Sequence, residues 1–146
     1  MKVRDIMTPD PACCLRETTA RDAARLMVEY DCGAIPVVES MEKRKLVGIV
    51  TDRDIAVRGV AEGEGPDTRV EELMTESPVA ADPDDEIETV REVMIREQVR
   101  RVPVAGRDGV IAGIIAQADL AREDAAASDR EVGRIVEAIS EPNPND

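Results

Sequence analysis

The sequence predicts an α/β (α+β) protein made of two β-α-β-β-α repeats packed into one pseudo-twofold module, with an extra C-terminal helix. An internal duplication, the period of the apolar residues within each copy and an aliphatic composition predict it. Val3 and Val70 stand 67 positions apart, and at that offset Met7 meets Met74, Thr8 meets Thr75, Pro11 meets Pro78, Met27 meets Met94, Pro36 meets Pro103 and Val37 meets Val104. Past the charged stretch 40–45 the offset becomes 65, and Gly48 meets Gly113, Ile49 meets Ile114, Asp54 meets Asp119 and Ala56 meets Ala121. A hairpin loop absorbs the two-residue change, so the chain reads as a tandem duplication.

Each copy opens with a short extended segment, 12–15 and 79–81. Helical spacing follows at 19–30, where Ala20, Ala23, Ala24 and Met27 share a face, and at 86–97, where Ile87, Val90, Val93 and Met94 do. Asp85 with Glu88 resembles a capping pair. Nearly continuous β-branched runs at 35–38 with 46–50, and at 102–105 with 110–115, predict paired strands buried on both faces. Pro36 and Pro103 sit near strand starts, where a missing N–H is tolerated. Second helices are expected near 52–60 and 117–126. A stretch with Gly59, Gly63, Gly65 and Pro66 joins the copies, which sets units at 1–62 and 70–126 with a linker at 63–69. In the tail, 127–146, Ser128 with Glu131 forms a capping box, and Val132, Ile135, Val136 and Ile139 make an apolar stripe, while 141–146 should fray.

About 42% of the 146 residues are hydrophobic, yet Phe and Trp are absent and Tyr30 is the only aromatic. A net charge of −13 repels phosphate backbones, and the lack of stacking platforms also argues against a nucleic-acid partner. No apolar run approaches a membrane span, and the N-terminus lacks a signal-peptide core, so a cytoplasmic protein is expected. The three cysteines, Cys13, Cys14 and Cys32, fit no zinc spacing, and no His completes one, so no metal site is expected. They read as small buried hydrophobes in a reducing compartment. With no His, the usual general base near neutral pH is missing, and no Ser-His, Cys-His or metal constellation can be assembled; carboxylates abound but nothing pairs them at a meaningful spacing, so no catalytic residue and no enzyme activity are expected.

Three features coincide over residues 3–125. They are the duplication, the hydrophobic-Pro-Val openings Ile35-Pro36-Val37 and Val102-Pro103-Val104, and the pattern Gly48-Ile49-Val50-Thr51 followed by Asp54. Together they resemble a tandem pair of CBS domains, a Bateman module, and the short format is similar to stand-alone two-CBS proteins of the hypoxic-response type. The resemblance implies a flat disc whose inter-repeat cleft takes an adenine-containing ligand: AMP, ADP, ATP, S-adenosylmethionine or NAD, with no required cofactor. It implies Thr51 and Asp54 at ribose and phosphate, and Ile35 and Pro36 against the base. Arg53, between the pair, adds a phosphate contact. In the second copy Asp119 is present, but Ala116 stands where Thr would be. Arg101 precedes Val102-Pro103 as a phosphate contact, while its first-copy counterpart is Ala34. The two sites are therefore unequal. A homodimer and a separate effector protein are also implied.

The physical logic agrees. A strand ending at Val50 delivers Thr51 and Asp54 to the first turn of a helix, where free N–H groups and the dipole favour phosphate. Gly48 and Gly113 let another backbone or a ligand come close. The same Thr-x-x-Asp pair also satisfies a capping box that needs no ligand, and both readings stand. The leading expectation is a regulatory module that senses adenine nucleotides. The alternatives are a ligand-independent dimerisation scaffold and a redox response through the cysteines.

Overall fold

The computed structural model describes residues 1–140. Two short elements open the chain, α1 (Val3–Ile6) and β1 (Thr8–Pro9). The first repeat continues with α2 (Ala20–Glu29), β2 (Ala34–Val38) and β3 (Leu46–Thr51), then a helical stretch that starts as α3 (Asp52–Asp54). The second repeat carries β4 (Thr75–Glu76), α4 (Ile87–Glu97), β5 (Arg101–Ala105), β6 (Ile111–Ala116) and α5 (Gln117–Ser140). The strands form two three-stranded antiparallel sheets, ordered β1-β6-β5 and β2-β3-β4. The mixed α/β class and the duplicated order are those the apolar periods predict.

The opening segment of each repeat crosses to the other repeat. Thr8 pairs with Ile114 on β6, and Thr75 pairs with Ile49 on β3. Val3 is fully buried in the second unit's core, among Val90, Val93, Val102, Val104 and Ile115. Val70, Leu73 and Met74 lie in the first unit's core with Ala23, Met27, Ile35, Val37 and Val50. Gly48 and Gly113 make the crossing fit, because a methyl on Gly113 would lie 2.7 Å from the Thr8 carbonyl and one on Gly48 would lie 3.0 Å from that of Thr75. Of the two occupants expected there, a backbone or a ligand, a backbone takes the place. Burial of β2 along its whole length follows from sheet packing on both sides.

The crossing also caps the helices. At α2, Ala20 N donates to Thr68 O (2.8 Å), Arg21 N to Pro66 O (3.0 Å) and Asp22 N to the Thr19 hydroxyl (3.2 Å). At α4, Ile87 N donates to Met1 O (3.2 Å), while Glu86 is the N-cap without a side-chain cap. The Asp85–Glu88 pair therefore does not cap α4: the Asp85 carboxylate turns back to accept from Asp82 N (3.0 Å), and the chain's own N-terminus supplies the acceptor instead. The extended segments expected at 12–15 and 79–81 reduce to single parallel bridges, Cys14 to Val37 and Ala81 to Val104.

Two expectations for the closing helices are corrected. The first is α-helical for three residues, passes into a π turn at Ile55–Gly59 and ends in a 3-10 turn at Val60–Glu62. The second runs unbroken through the boundary at 126–127, so Ser128 lies mid-helix and makes no capping box. Nothing in that stretch stops a helix: no Pro occurs, and Ala125–Ala127 propagate it. Val132 of the expected stripe is exposed; the stripe's side chains beyond Arg134 and the expected fraying at 141–146 lie outside the described residues.

Candidate functional site

A cavity of about 940 Å³ opens between the repeats. One wall is the end of β3 and the start of α3, with Ile49, Thr51, Asp52, Arg53 and Asp54. The facing wall is the turn between α4 and β5, with Glu97, Gln98, Val99, Arg100 and Arg101, and Pro103 beyond it. Thr75, Pro78 and Val79 form the floor. Gln98 holds the turn in a left-handed conformation, φ 55°, and Asp31, its counterpart in the first repeat, does the same at 49°. The duplication has kept the backbone where the side chains differ.

Thr51 and Asp54 meet as a reciprocal capping box. Asp54 N donates to the Thr51 hydroxyl (3.1 Å), and Thr51 N donates to Asp54 Oδ2 (2.9 Å). The second carboxylate oxygen of Asp54 faces Arg58 Nε at 3.9 Å, and Arg58 in turn donates to the carbonyls of Leu73 (3.3 Å) and Met74 (3.1 Å). The Thr51 O–H remains to donate, and the ionised Asp54 still has accepting lone pairs.

The helix start does not offer free N–H groups, which corrects the phosphate logic of the sequence. Asp52 N donates to Gly33 O (2.9 Å), Arg53 N to Asp52 Oδ1 (2.8 Å), and the next N–H belongs to the capping box. Protein oxygens have taken the donors that a phosphate would use. The cations left for an anion are side chains: Arg53, Arg100, and Arg101 (whose Nη1 sits 3.6 Å from Asp52 Oδ1).

The structure thus gathers Thr51, Arg53, Asp54, Arg101 and Pro103 in one cavity, and separates four expected residues from it. Ile35 and Val102 lie in the two cores, fully buried, and do not line the cavity. Pro36 is buried at the place equivalent to Pro103. Asp119 lies in the mirror half, 8% exposed, accepting from Ala116 N (2.7 Å) and paired with Arg122. The apolar lining that sequence reasoning missed is Ile49, Pro78, Val79 and Val99. Pro78 and Val79 follow the exchanged strand β4, and that pairing has no local signal.

Cys13 and Cys14 are buried. Burial pushes the Cys14 thiol up to about 12. Burial also raises Cys13, against the pull of Arg44, whose Nη2 lies 3.1 Å from its sulfur. Neither presents the exposed thiolate that redox chemistry needs. Cys32 is exposed. Among the described residues, no group of three or more His, Cys, Asp or Glu could hold a metal ion, and no helix is long and apolar enough to cross a membrane.

Two repeats that exchange short strands, with a polar-rimmed cleft at the end of a central strand, define a class of paired-repeat module. The family model of the CBS domain matches residues 3–59 and 70–126, and the chain belongs to that family. Hypoxic response protein 1 of Mycobacterium tuberculosis is 36% identical over 140 residues, which is 95% of this chain and 94% of that protein. A crystal structure of Hypoxic Response Protein I with two coordinated zinc ions superposes with a TM-score of 0.74, covering 84% of this chain and 98% of that one. The CBS pair of protein MJ0100, in complex with 5′-methylthioadenosine and S-adenosyl-L-methionine, superposes at 0.79 with 27% identity, covering 87% and 98%. CBSX2 in complex with AMP superposes at 0.74 with 26% identity over the same shares.

Proposed function

We propose that this chain is a non-catalytic regulatory module that binds an adenine-containing ligand (AMP, ADP, ATP, S-adenosylmethionine or NAD) in the cleft between its CBS repeats. The observation that carries the reading is the convergence of Thr51, Asp54 and Arg101 on one cavity lined by Ile49, Val79, Val99 and Pro103. An apolar slot suits a purine face, and Asp54 with Thr51 suits a ribose diol. The neighbours with bound 5′-methylthioadenosine, S-adenosylmethionine and AMP support it. Ligand held by both walls would bias the orientation of one repeat against the other, within the limit of its differential affinity for the two arrangements. A separate effector protein, in a cytoplasmic setting that suits three free thiols, would read that change. The units at 1–62 and 70–126 with their linker at 63–69 remain part of this proposal, as does Asp119 as the weaker, mirror site.

Calorimetric titration of the whole chain with each of the five ligands tests the reading. At least one binds, and Asp54→Asn, which keeps the side-chain shape but loses the charge, weakens that ligand tenfold or more. No heat with any of them at millimolar concentration would sink it. The scaffold reading would then stand on a second observation. An apolar groove of about 370 Å³ between α2 and the π turn exposes Val28 (84%) and Val60 (71%), a surface suited to a homodimer.

A further inference from the structure

We propose that Asp52 sets the charge preference of the cleft. Its carboxylate stands where an anionic group of the ligand would go, so the site favours an adenosyl ligand whose 5′ substituent is uncharged, cationic or zwitterionic over one carrying phosphates. The inference rests on the adenosyl reading above and adds a residue that reading does not use.

Four observations carry it. The Asp52 carboxylate accepts from Arg53 N (2.8 Å) at the positive end of the helix, doing for the helix what a bound phosphate would do. It reaches across the repeats to within 3.6 Å of Arg101, so its negative charge offsets part of the attraction that cation holds for a phosphate. Gly33 makes room for that pair: a methyl there would fall 2.5 Å from Arg101 Nη2 and 2.8 Å from Asp52 Oδ2. The mirror half shows that the fold does not require the pair. There Gln117 N donates to Arg100 O (2.8 Å) just as Asp52 N donates to Gly33 O (2.9 Å), but Gln117 is neutral and Ala34 stands in place of Arg101.

The cleft therefore carries Asp52, Asp54 and Glu97 against Arg53, Arg100 and Arg101. A phosphate that takes Arg101 must displace Asp52 from it and then sit beside Asp52 and Asp54. At such separations Coulomb repulsion is strong enough to move an affinity by an order of magnitude. An ammonium or sulfonium group meets Asp52 without that conflict, and a carboxylate on the same substituent can take Arg101.

The test is calorimetry on the full chain with adenosine, 5′-methylthioadenosine, AMP and ATP at low ionic strength. The wild type binds the two uncharged nucleosides more tightly than AMP, and ATP most weakly. Asp52→Asn keeps the acceptor for Arg53 N, tightens AMP about tenfold and leaves adenosine within twofold. Adding Arg101→Gln to Asp52→Asn abolishes that gain. A wild type that prefers AMP to adenosine, or an Asp52→Asn change that moves AMP and adenosine equally, overturns the inference while leaving the adenosyl reading in place. If neither folded protein binds any of the four, nor any of the five ligands titrated above, the adenosyl reading fails and takes the inference with it.

Discussion

Thr51 and Asp54 hold each other before either can hold a ligand, through two hydrogen bonds of 3.1 and 2.9 Å. The capping and ligand roles do not compete, because the Thr51 O–H and the remaining Asp54 lone pairs stay available. On the proposed reading, side chains that already sit in one rotamer would lose little freedom to a ribose. The cysteines behave differently. The Cys14 thiol has its ordinary value of 9.0 raised to about 12 by burial. The unfolded chain releases that proton near pH 9, whereas the folded chain keeps it until about pH 12. The stability from burying neutral Cys14 is thus complete below pH 9 and is lost as pH rises towards 12. In urea titrations the Cys14→Ala chain should lose less stability than the wild type over that interval, by up to about 1.4 kcal/mol per pH unit. Parallel losses would place Cys14 in contact with solvent.

At the scale of elements, the two closing helices start from the same place and diverge. The first breaks into a π turn within one turn of the site, while its counterpart continues as α5 to Ser140. Single π turns gather at functional sites, and this one begins directly after Asp54, with Arg58 in it tying Asp54 to the Leu73 and Met74 carbonyls. The strand crossings depend on two glycines. Gly48→Ala and Gly113→Ala should each destabilise by about 1–3 kcal/mol. Gly113→Ala should cost more, since its methyl meets backbone oxygen at 2.7 Å, against 3.0 Å at Gly48. A neutral Gly113→Ala in urea titrations would show that β1 is not held against β6.

For the whole molecule, the sequence repeat is not the packing unit. Residues 1–9 place Val3 in the second core, β1 beside β6 and the Met1 carbonyl at the start of α4. Their removal should strip hydrogen-exchange protection from α4 and β6 and leave α2 and β2 comparatively protected. Protection lost first from α2 and β2 would contradict the crossing. The two units are also joined where the hairpin tips meet, with Leu46 N donating to Gly109 O and Ile111 N to Arg44 O, both at 2.9 Å. Motion of one repeat against the other, on which a sensor depends, must work against these bonds and both exchanged strands.

The sequence alone determined the helix-strand-strand core of each repeat, α2-β2-β3 and α4-β5-β6, because periods of 3.6 and 2 are local properties that Met27, Val37 or Val104 carry wherever the chain goes. It also determined the family, since Ile35-Pro36-Val37 returns as Val102-Pro103-Val104, and Gly48 and Asp54 return as Gly113 and Asp119, in register. Only the tertiary structure decided which residues share a cavity. Ile35 and Val102 proved to be core, while Pro78 and Val79 reached the site on a strand borrowed from the other repeat. It also decided the fate of the helix start, where Asp52, Thr51 and the Gly33 carbonyl satisfied the donors that seemed free. The reason is physical: periodicity reports which face of an element is buried, whereas pairings such as Ile49 with Thr75 and Thr8 with Ile114, and the charges they bring together, arise from packing that no local window contains.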